Sequence, residues 1–480
     1  MAKFDYNIIV IGGGSAGLVS AYIASATKAK VALIEKNKMG GDCLNTGCIP
    51  SKALIRSAKI LSYIKRHREF GIKSAAAEFD FPEAMERVQA IIKKIEPHDS
   101  VKRYTDLGVD CFSGQAKILS PHEVELNGNI LTTKNIIIAT GARPTIPSIN
   151  GLEKVNFLTS DNLWNIQELP KKLLIIGGGP IGSEFAQCFA RLGSDVTQVE
   201  MSPHILTRED DEISLALRQQ FGREGIDIHT DTTCKTIVTE NGKQVMVSEK
   251  RGQEVRIEFD QILIAVGRTA NSKGFGLENI GIESDQHNRI IVDSYLRTTT
   301  HKNIYACGDV VGPYQFTHMA AHQAWYCAVN ALFSPFKKFK VDYSVIPWCT
   351  FTDPEIARVG LNEKEATKQG IDYEVTRYGI DDLDRAIADS DDQGIIKVLT
   401  APGKDRILGA TIMSCEAGNL ITEYVSAMKH GIGLNKILGT IHIYPTMAEA
   451  NKFVAGTWKK NNAPKKLLKL VQKFHAWRLR

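Results

Sequence analysis

No run of apolar residues in this 480-residue chain approaches the roughly 18 positions that span a bilayer. The N-terminus lacks the charged, then apolar, then small-residue order of a secretory signal. Charge of one sign is also lacking overall: 59 Lys/Arg against 54 Asp/Glu leave a net +5, which gives no support to nucleic-acid binding through the body of the protein. That small excess is uneven. Eight Lys/Arg and no Asp/Glu fall between Trp458 and Arg480, so the remainder carries −3. Cysteines are few, scattered and odd in number. Of the nine, only Cys43 and Cys48 form a motif, which excludes a secreted disulfide framework. The other seven read as small buried apolar residues. A reducing cytoplasm is the expected setting, and the length suits two or three domains.

What is there begins with Gly41-Asp42-Cys43-Leu44-Asn45-Thr46-Gly47-Cys48-Ile49-Pro50-Ser51-Lys52. A disulfide needs its Cα atoms about 4.4–6.8 Å apart. Five residues of regular helix already rise about 7.5 Å, so the backbone must bend, and Gly47 is the residue expected to let it. Pro50 suits the first turn of a helix, and Ala53, Leu54, Ala58, Leu61 and Ile64 keep helical spacing. Cys48 would then sit at a positive helix end, where a thiolate is favoured. The pair reads as redox-active. A structural disulfide would close a trivially short loop. A zinc half-site would need two further ligands, and none stands out.

On either side of a long middle stretch stand two copies of one pattern. Asn7–Ile11 is an apolar strand, Gly12-Gly13-Gly14-Ser15-Ala16-Gly17 opens a helix to about Ala26, and Val31–Glu35 is a strand ending in an acid. Leu173–Ile176, Gly177-Gly178-Gly179-Pro180-Ile181-Gly182, a helix to about Leu192 and Val196–Glu200 repeat it. Strand, glycines, helix, strand and acid together form a dinucleotide fingerprint: the glycines allow a tight turn, approach of a pyrophosphate, and close helix packing. Two copies argue for two dinucleotides. Glu200 favours an unphosphorylated ribose and no Arg occurs in Met201–Ile205, so NADH is favoured over NADPH at the second.

Elsewhere the pattern predicts helix over Phe81–Leu107 and short strands over 109–138, with turns at Ser120-Pro121 and Asn127-Gly128. A helix over 316–332 presents Met319, Ala320, Trp325, Val329 and Leu332 as its core face. Asp309 reads either as a polar contact to a cofactor chain or as the cap of that helix. From Val341 strand-like runs (345–351, 394–399, 408–413) alternate with helical ones (363–369, 418–429). The acidic stretch 381–392 reads as a solvated loop. The expected fold is therefore α/β: two Rossmann-like dinucleotide-binding domains plus a C-terminal α+β domain. The boundaries are 1–150 and 271–341 for the two halves of the first domain, 151–270 for the second, 342–456 for the third, and 457–480 for a basic tail.

A C-x4-C motif between two fingerprints resembles the FAD-dependent pyridine-nucleotide disulfide oxidoreductases, which include dihydrolipoamide dehydrogenase, glutathione reductase and mercuric reductase. The resemblance runs through Gly12–Gly17, Gly41–Lys52, Ala139–Pro144, Gly177–Glu184, Ala265–Arg268, Ala306–Asp309 and Tyr444–Glu449. It implies a homodimer whose C-terminal domain forms the interface. It implies FAD at Gly12, Gly14, Ser15, Ala16, Gly17, Glu35, Lys36, Gly41, Thr140, Gly141, Gly308 and Asp309. For NAD it implies Gly177, Gly179, Pro180, Ile181, Gly182, Glu200 and Gly267. Cys43 would be the interchange thiol, Cys48 the thiolate beside the flavin, and Lys52 and Glu184 a pair near the flavin N5. Electrons would run from NADH through flavin and dithiol to a small disulfide or a thiophilic metal ion, and the reverse way from a dithiol substrate.

One segment departs from the lipoamide and glutathione enzymes. Their His-Pro-Thr-x-x-Glu reads Tyr444-Pro445-Thr446-Met447-Ala448-Glu449 here. A phenol with pKa near 10 is a poor base at neutral pH. His442 could substitute if a strand turned it to the same face. Mercuric reductases resemble this chain in the tyrosine, and a metal ion needs thiolates rather than proton transfer to sulfur. Their C-terminal cysteine pair has no counterpart, since no cysteine follows Cys415, and their N-terminal metal-binding module is absent as well. The reading is a mercuric-reductase-like flavoenzyme. The alternatives are dihydrolipoamide dehydrogenase and a membrane-attached flavin redox partner or sensor. The tail bears on the last: Leu467, Leu470, Val471, Phe474 and Trp477 share one helical face with cations largely opposite. Such a helix either docks on the interface domain or lies on the inner face of an anionic membrane.

Overall fold

The computed structural model describes residues 4–250, 252–334 and 336–480. It has two compact units, one formed by Met1–Ile205 with Glu224–Asp342, the other by Leu206–Arg223 with Tyr343–Arg480.

In the first unit the buried β-branched runs form parallel strands, as expected for segments covered on both faces. Five lie in the order Val109–Ser113, Val31–Glu35, Tyr6–Ile11, Asn129–Ile138, Ile304–Ala306. The last strand joins after more than 160 intervening residues. Ile11 pairs with Ile138, and Ile138 with Ala306. The loops at Gly12, Thr140 and Gly308 therefore leave neighbouring strands at their carboxyl ends, the edge where open α/β sheets bind ligands. A second five-stranded sheet has the order Asp227–His229, Asp195–Val199, Lys172–Ile176, Gln261–Ile264, Phe157–Leu158. It brings Gly177 and Ala265–Gly267 to one edge in the same way. The strands Thr232–Glu240, Lys243–Lys250 and Gln253–Phe259 form a separate antiparallel sheet.

The second unit carries an antiparallel sheet in the order Pro347–Thr350, Glu355–Gly360, Ile407–Ser414, Ile395–Thr400, Glu374–Gly379. Helices Ala417–Lys429 and Glu449–Asn461 pack on it through Leu420, Ile421, Tyr424, Val454 and Trp458. Lys397 is buried in this unit. Its ammonium lies 2.6 Å from Asp210 and 2.5 Å from Glu363, and also pairs with Glu212, so a cation already fills this carboxylate cluster.

Several expectations are corrected. The helix expected over 81–107 breaks at Pro97 into Phe81–Ile95, a short 3-10 turn and Val101–Asp106, because proline cannot donate within a helix. The helix Thr317–Phe333 buries Met319, Ala320, Gln323, Ala324, Cys327, Ala328, Asn330 and Ala331, while Trp325 is exposed. Of the expected core face Met319 and Ala320 are buried, Val329 and Leu332 are half-buried, and the helix packs chiefly against the helix Ser15–Ala26. Its N-cap is Phe316, so Asp309 is not the cap. The acidic stretch 381–392 contains a short helix, Asp384–Asp389. His442 lies on no strand: residues 439–448 form an irregular loop. The tail is a helix, Lys465–Arg478, with no buried residue.

Candidate active site

The two fingerprints fold almost identically. Gly12 and Gly177 turn with φ +109° and +120°, values that side-chain-bearing residues rarely adopt. A Cβ on Gly17 would stand 1.7 Å from the Gly12 carbonyl oxygen, and one on Gly182 2.1 Å from that of Gly177. These contacts let each helix seat against its strand. Ser15 opens the first helix and Pro180 the second, with Ala16 buried and Ile181 half-buried behind them. A Cβ on Gly14 or Gly179 would meet no atom closer than 3.7 Å, so both amide edges stay open in front of a helix N-terminus. Glu35 accepts the Gly13 and Asn37 amides (2.5 and 2.7 Å), and Glu200 those of Gly178 and Ser202 (2.6 and 2.8 Å). A carboxylate so held keeps lone pairs for a ribose hydroxyl. Lys36 and Gly267 are exposed at the rims. Gly41 packs so tightly on Gly14 that a Cβ would come within 2.7 Å of the Gly14 Cα.

Cys43 lies on a short helix, Gly41–Asn45, and Cys48 begins the next, Cys48–Lys65. The left-handed turns fall at Gly40 and Gly41 rather than Gly47, whose φ is −118°. Gly47 instead eases a close approach, since a Cβ there would lie 3.0 Å from the Asp42 carbonyl oxygen. Both cysteines are free thiols in this structure, Cys43 half-buried and Cys48 exposed. The Cys43 thiol donates to Cys48, which lowers Cys48 to about 6 and pushes Cys43 up. Burial opposes the drop at Cys48, while the Thr317 hydroxyl and the Lys52 charge reinforce it. Cys48 Sγ is 3.4 Å from Thr317 Oγ1. Lys52 follows Cys48 by one helical turn, on the same face, and its Nζ lies 2.8 Å from Glu184 Oε2 on the second fingerprint helix.

Arg268 joins the two sites. It pairs with Asp42 and stands 3.6 Å from Asp309. Burial pushes Asp309 up to about 6 against the pull of Arg268. Gly308 is held by Gln323, whose Oε1 accepts its amide at 2.7 Å, and Thr140 Oγ1 donates to the Asn271 carbonyl at 2.7 Å beside Gly141. Sequence reasoning missed Thr317 and the Asp42–Arg268 pair: neither carries a spacing signal, because the partners are 269 and 226 residues apart.

In the second unit Tyr444, His442 and Glu449 point to separate partners. The Tyr444 hydroxyl donates to Asp384 Oδ2 at 3.0 Å, a bond that raises its pKa above the ordinary phenol value. His442 Nε2 contacts Glu423 at 3.1 and 3.2 Å, and its Nδ1 faces the Thr440 carbonyl. Glu449 is buried and accepts the Thr446 amide. His442 thus pairs with Glu423 rather than Glu449, and from an irregular loop rather than a strand.

Two parallel sheets with a dithiol at a helix start define a two-dinucleotide flavoprotein class, and comparison with known proteins agrees. The pyridine nucleotide-disulphide oxidoreductase pattern matches residues 6–324, and the dimerisation domain of that family matches 346–454. The chain belongs to the pyridine nucleotide-disulphide oxidoreductase family. It is 34% identical to a mercuric reductase of Bacillus cereus over 96% of this chain and 72% of that one. It is 35% identical to a dihydrolipoyl dehydrogenase of Chlamydia muridarum, covering 92% and 95%. Among solved structures, the HOCl-induced flavoprotein disulfide reductase RclA from Escherichia coli superposes with a TM-score of 0.83 at 28% identity, covering 94% and 99%. RclA was also solved as a Cu(II) complex, with a TM-score of 0.84. Membership implies FAD and a nicotinamide cofactor. The open glycine edges, the held carboxylates and the half-buried Asp309 fit such dinucleotides. Among the described residues no helix is long and apolar enough to cross a membrane.

Proposed function

We propose that the protein is an NADH-linked flavoenzyme that reduces a thiophilic metal ion or a small disulfide through Cys43 and Cys48. The carrying observation is that one chain combines a low-pKa dithiol with a tyrosine, already bonded to Asp384, at the sequence position of the disulfide enzymes' histidine. The first fingerprint, with Thr140 and Gly308–Asp309, would hold FAD, and the second, with Glu200, NADH. When bound, FAD supplies the carrier between a two-electron hydride donor and a dithiol. The chain's own residues prepare the sulfurs. Cys43, Thr317, Lys52 and the helix start keep Cys48 a thiolate at neutral pH. Cys43 remains the protonated partner that meets substrate. A soft metal ion takes two thiolates directly as ligands, whereas a disulfide substrate must have its leaving sulfur protonated. Tyr444 serves the second task poorly, which favours metal ions such as Hg(II) or Cu(II) over lipoamide.

The working form would be a homodimer. Ile441 and Ile443, 94% and 78% exposed within the dimerisation domain, support a second copy packed there. A reducing cytoplasm suits a dithiol that must be regenerated.

The test is NADH oxidation by the purified holoenzyme with Hg(II), Cu(II), lipoamide and glutathione disulfide, repeated with NADPH. Metal-dependent turnover well above lipoamide turnover, with NADH preferred and activity lost in Cys43→Ser, is expected. Lipoamide turnover equal to or above that with metals would overturn the metal reading and favour a dihydrolipoamide dehydrogenase. Full turnover in Cys43→Ser would overturn the dithiol route.

A further inference from the structure

The helix Lys465–Arg478 has no buried residue. Leu467, Leu470, Val471, Phe474 and Trp477, spaced to lie within one third of the helix circumference, are each 39–69% exposed. Phe474 and Trp477 already gather at 6.1 Å between ring centres, with Arg478 over Phe474. Lys465 and Lys469 lie opposite this stripe, Lys466 and Lys473 flank it, Arg478 falls within it, and no Asp or Glu occurs from Trp458 onward. A 14-residue helix is marginal in water without a surface to pack on. An apolar stripe with Phe and Trp, backed by lysines, is the form that lies in a bilayer interface. The tail concentrates eight cations and no acid beside its apolar stripe, and an anionic lipid surface offers both counter-charge and an apolar layer to such a helix.

We infer that this helix is a peripheral docking element for anionic lipid bilayers, lying in the headgroup plane with its aromatic face inward. The inference is independent of the redox chemistry, because none of its residues belongs to the dithiol or dinucleotide sites. It would hold the enzyme at a membrane surface without spanning it.

The experiment is co-sedimentation of the full-length holoenzyme with vesicles of phosphatidylcholine alone, or with about one third phosphatidylglycerol, at 0.1 M salt. Binding to the anionic vesicles only, weakened as salt shortens the screening length from about 10 Å at 0.1 M, is expected. Each basic residue near such a surface strengthens attachment by about fivefold. The triple variant Lys466→Gln/Lys469→Gln/Lys473→Gln should therefore lose roughly a hundredfold. Leu470→Gln/Phe474→Gln keeps every charge and should also lose attachment. Equal or absent binding to the two vesicle types overturns the inference. So does undiminished binding by the Leu470/Phe474 variant, which would mark a mere polycation. Conversion of the dimer to a monomer by that variant in sedimentation velocity would assign the helix to the contact between copies instead, again overturning it.

Discussion

Lys52 Nζ lies 2.8 Å from Glu184 Oε2, joining a lysine one turn after Cys48 to the helix that opens the second fingerprint, 132 positions away. The two charges act on Cys48 in opposite senses: Lys52 lowers its pKa and Glu184 raises it. Lys52→Met should move the alkylation midpoint of Cys48 above about 6, and Glu184→Gln should move it below. Iodoacetamide labelling of the reduced protein against pH, read by mass spectrometry, measures both. A shift of the same sign in both variants would contradict this electrostatic account.

Thr317 acts on the same sulfur through a hydroxyl. Hydrogen bonds to charged groups contribute about 1.5–3 kcal/mol, and one pKa unit is about 1.4 kcal/mol. Thr317→Val should raise the Cys48 midpoint by about one unit, while Thr317→Ser restores it. The sign follows from which form is bonded: loss of a donor to the thiolate disfavours the thiolate, so a higher pH is needed to form it.

Removing a working general base costs about 10²–10⁴ in rate. On the proposed reading Tyr444, already donating to Asp384, serves poorly as such a base. Tyr444→Phe should change NADH-linked reduction of a small disulfide by less than about threefold, far below that range, with an unaltered pH profile. A hundredfold loss would restore Tyr444 to proton transfer.

The paired glycines give a clean separation of the two nucleotide sites. Gly17→Ala forces a methyl against the Gly12 carbonyl, and Gly182→Ala forces one against that of Gly177. The first should lose bound flavin, seen as a fall in the ratio of 450 nm to 280 nm absorbance. The second should keep flavin and raise the KM for NADH at least about tenfold, since a misplaced helix end weakens phosphate binding.

Lys397 is the counter-ion of three carboxylates on segments far apart in sequence. Removing one partner of a buried ionic cluster costs about 3–5 kcal/mol. Lys397→Met should lower thermal stability of the C-terminal unit accordingly, measured by calorimetry. Burial pushes Glu212 up, but the bonds from Arg377 and Lys397 outweigh it and hold its pKa below the ordinary value. Its contribution is present above the unfolded carboxylate pKa and is lost as pH falls through the folded one, so the wild-type unit should soften on acidification.

Local patterns carried much of the fold. The strand Val31–Glu35 and the helix starts at Ser15 and Pro180 were legible because a buried parallel strand is a short apolar run and a fingerprint helix begins at its glycines. The strands Glu355–Gly360 and Glu374–Gly379 were not, since their polar positions pair with neighbours in a sheet that sequence periodicity does not display. The core face of Thr317–Phe333 was legible only in part: Met319 and Ala320 are buried, but Trp325 is exposed, and small residues such as Ala324 and Ala328 fill the interior where the helix packs against Ser15–Ala26.

The dithiol, the two dinucleotide loops and the absent histidine were set by residue type and spacing alone, because each works within about six neighbouring positions. What only the tertiary structure decided is how those parts are tuned. Thr317 beside Cys48, Glu184 against Lys52, and Arg268 against Asp42 are contacts across 132 to 269 residues. Distances that long in sequence leave no periodic trace. Only the packing of strands that return to one sheet edge brings such groups within hydrogen-bond reach.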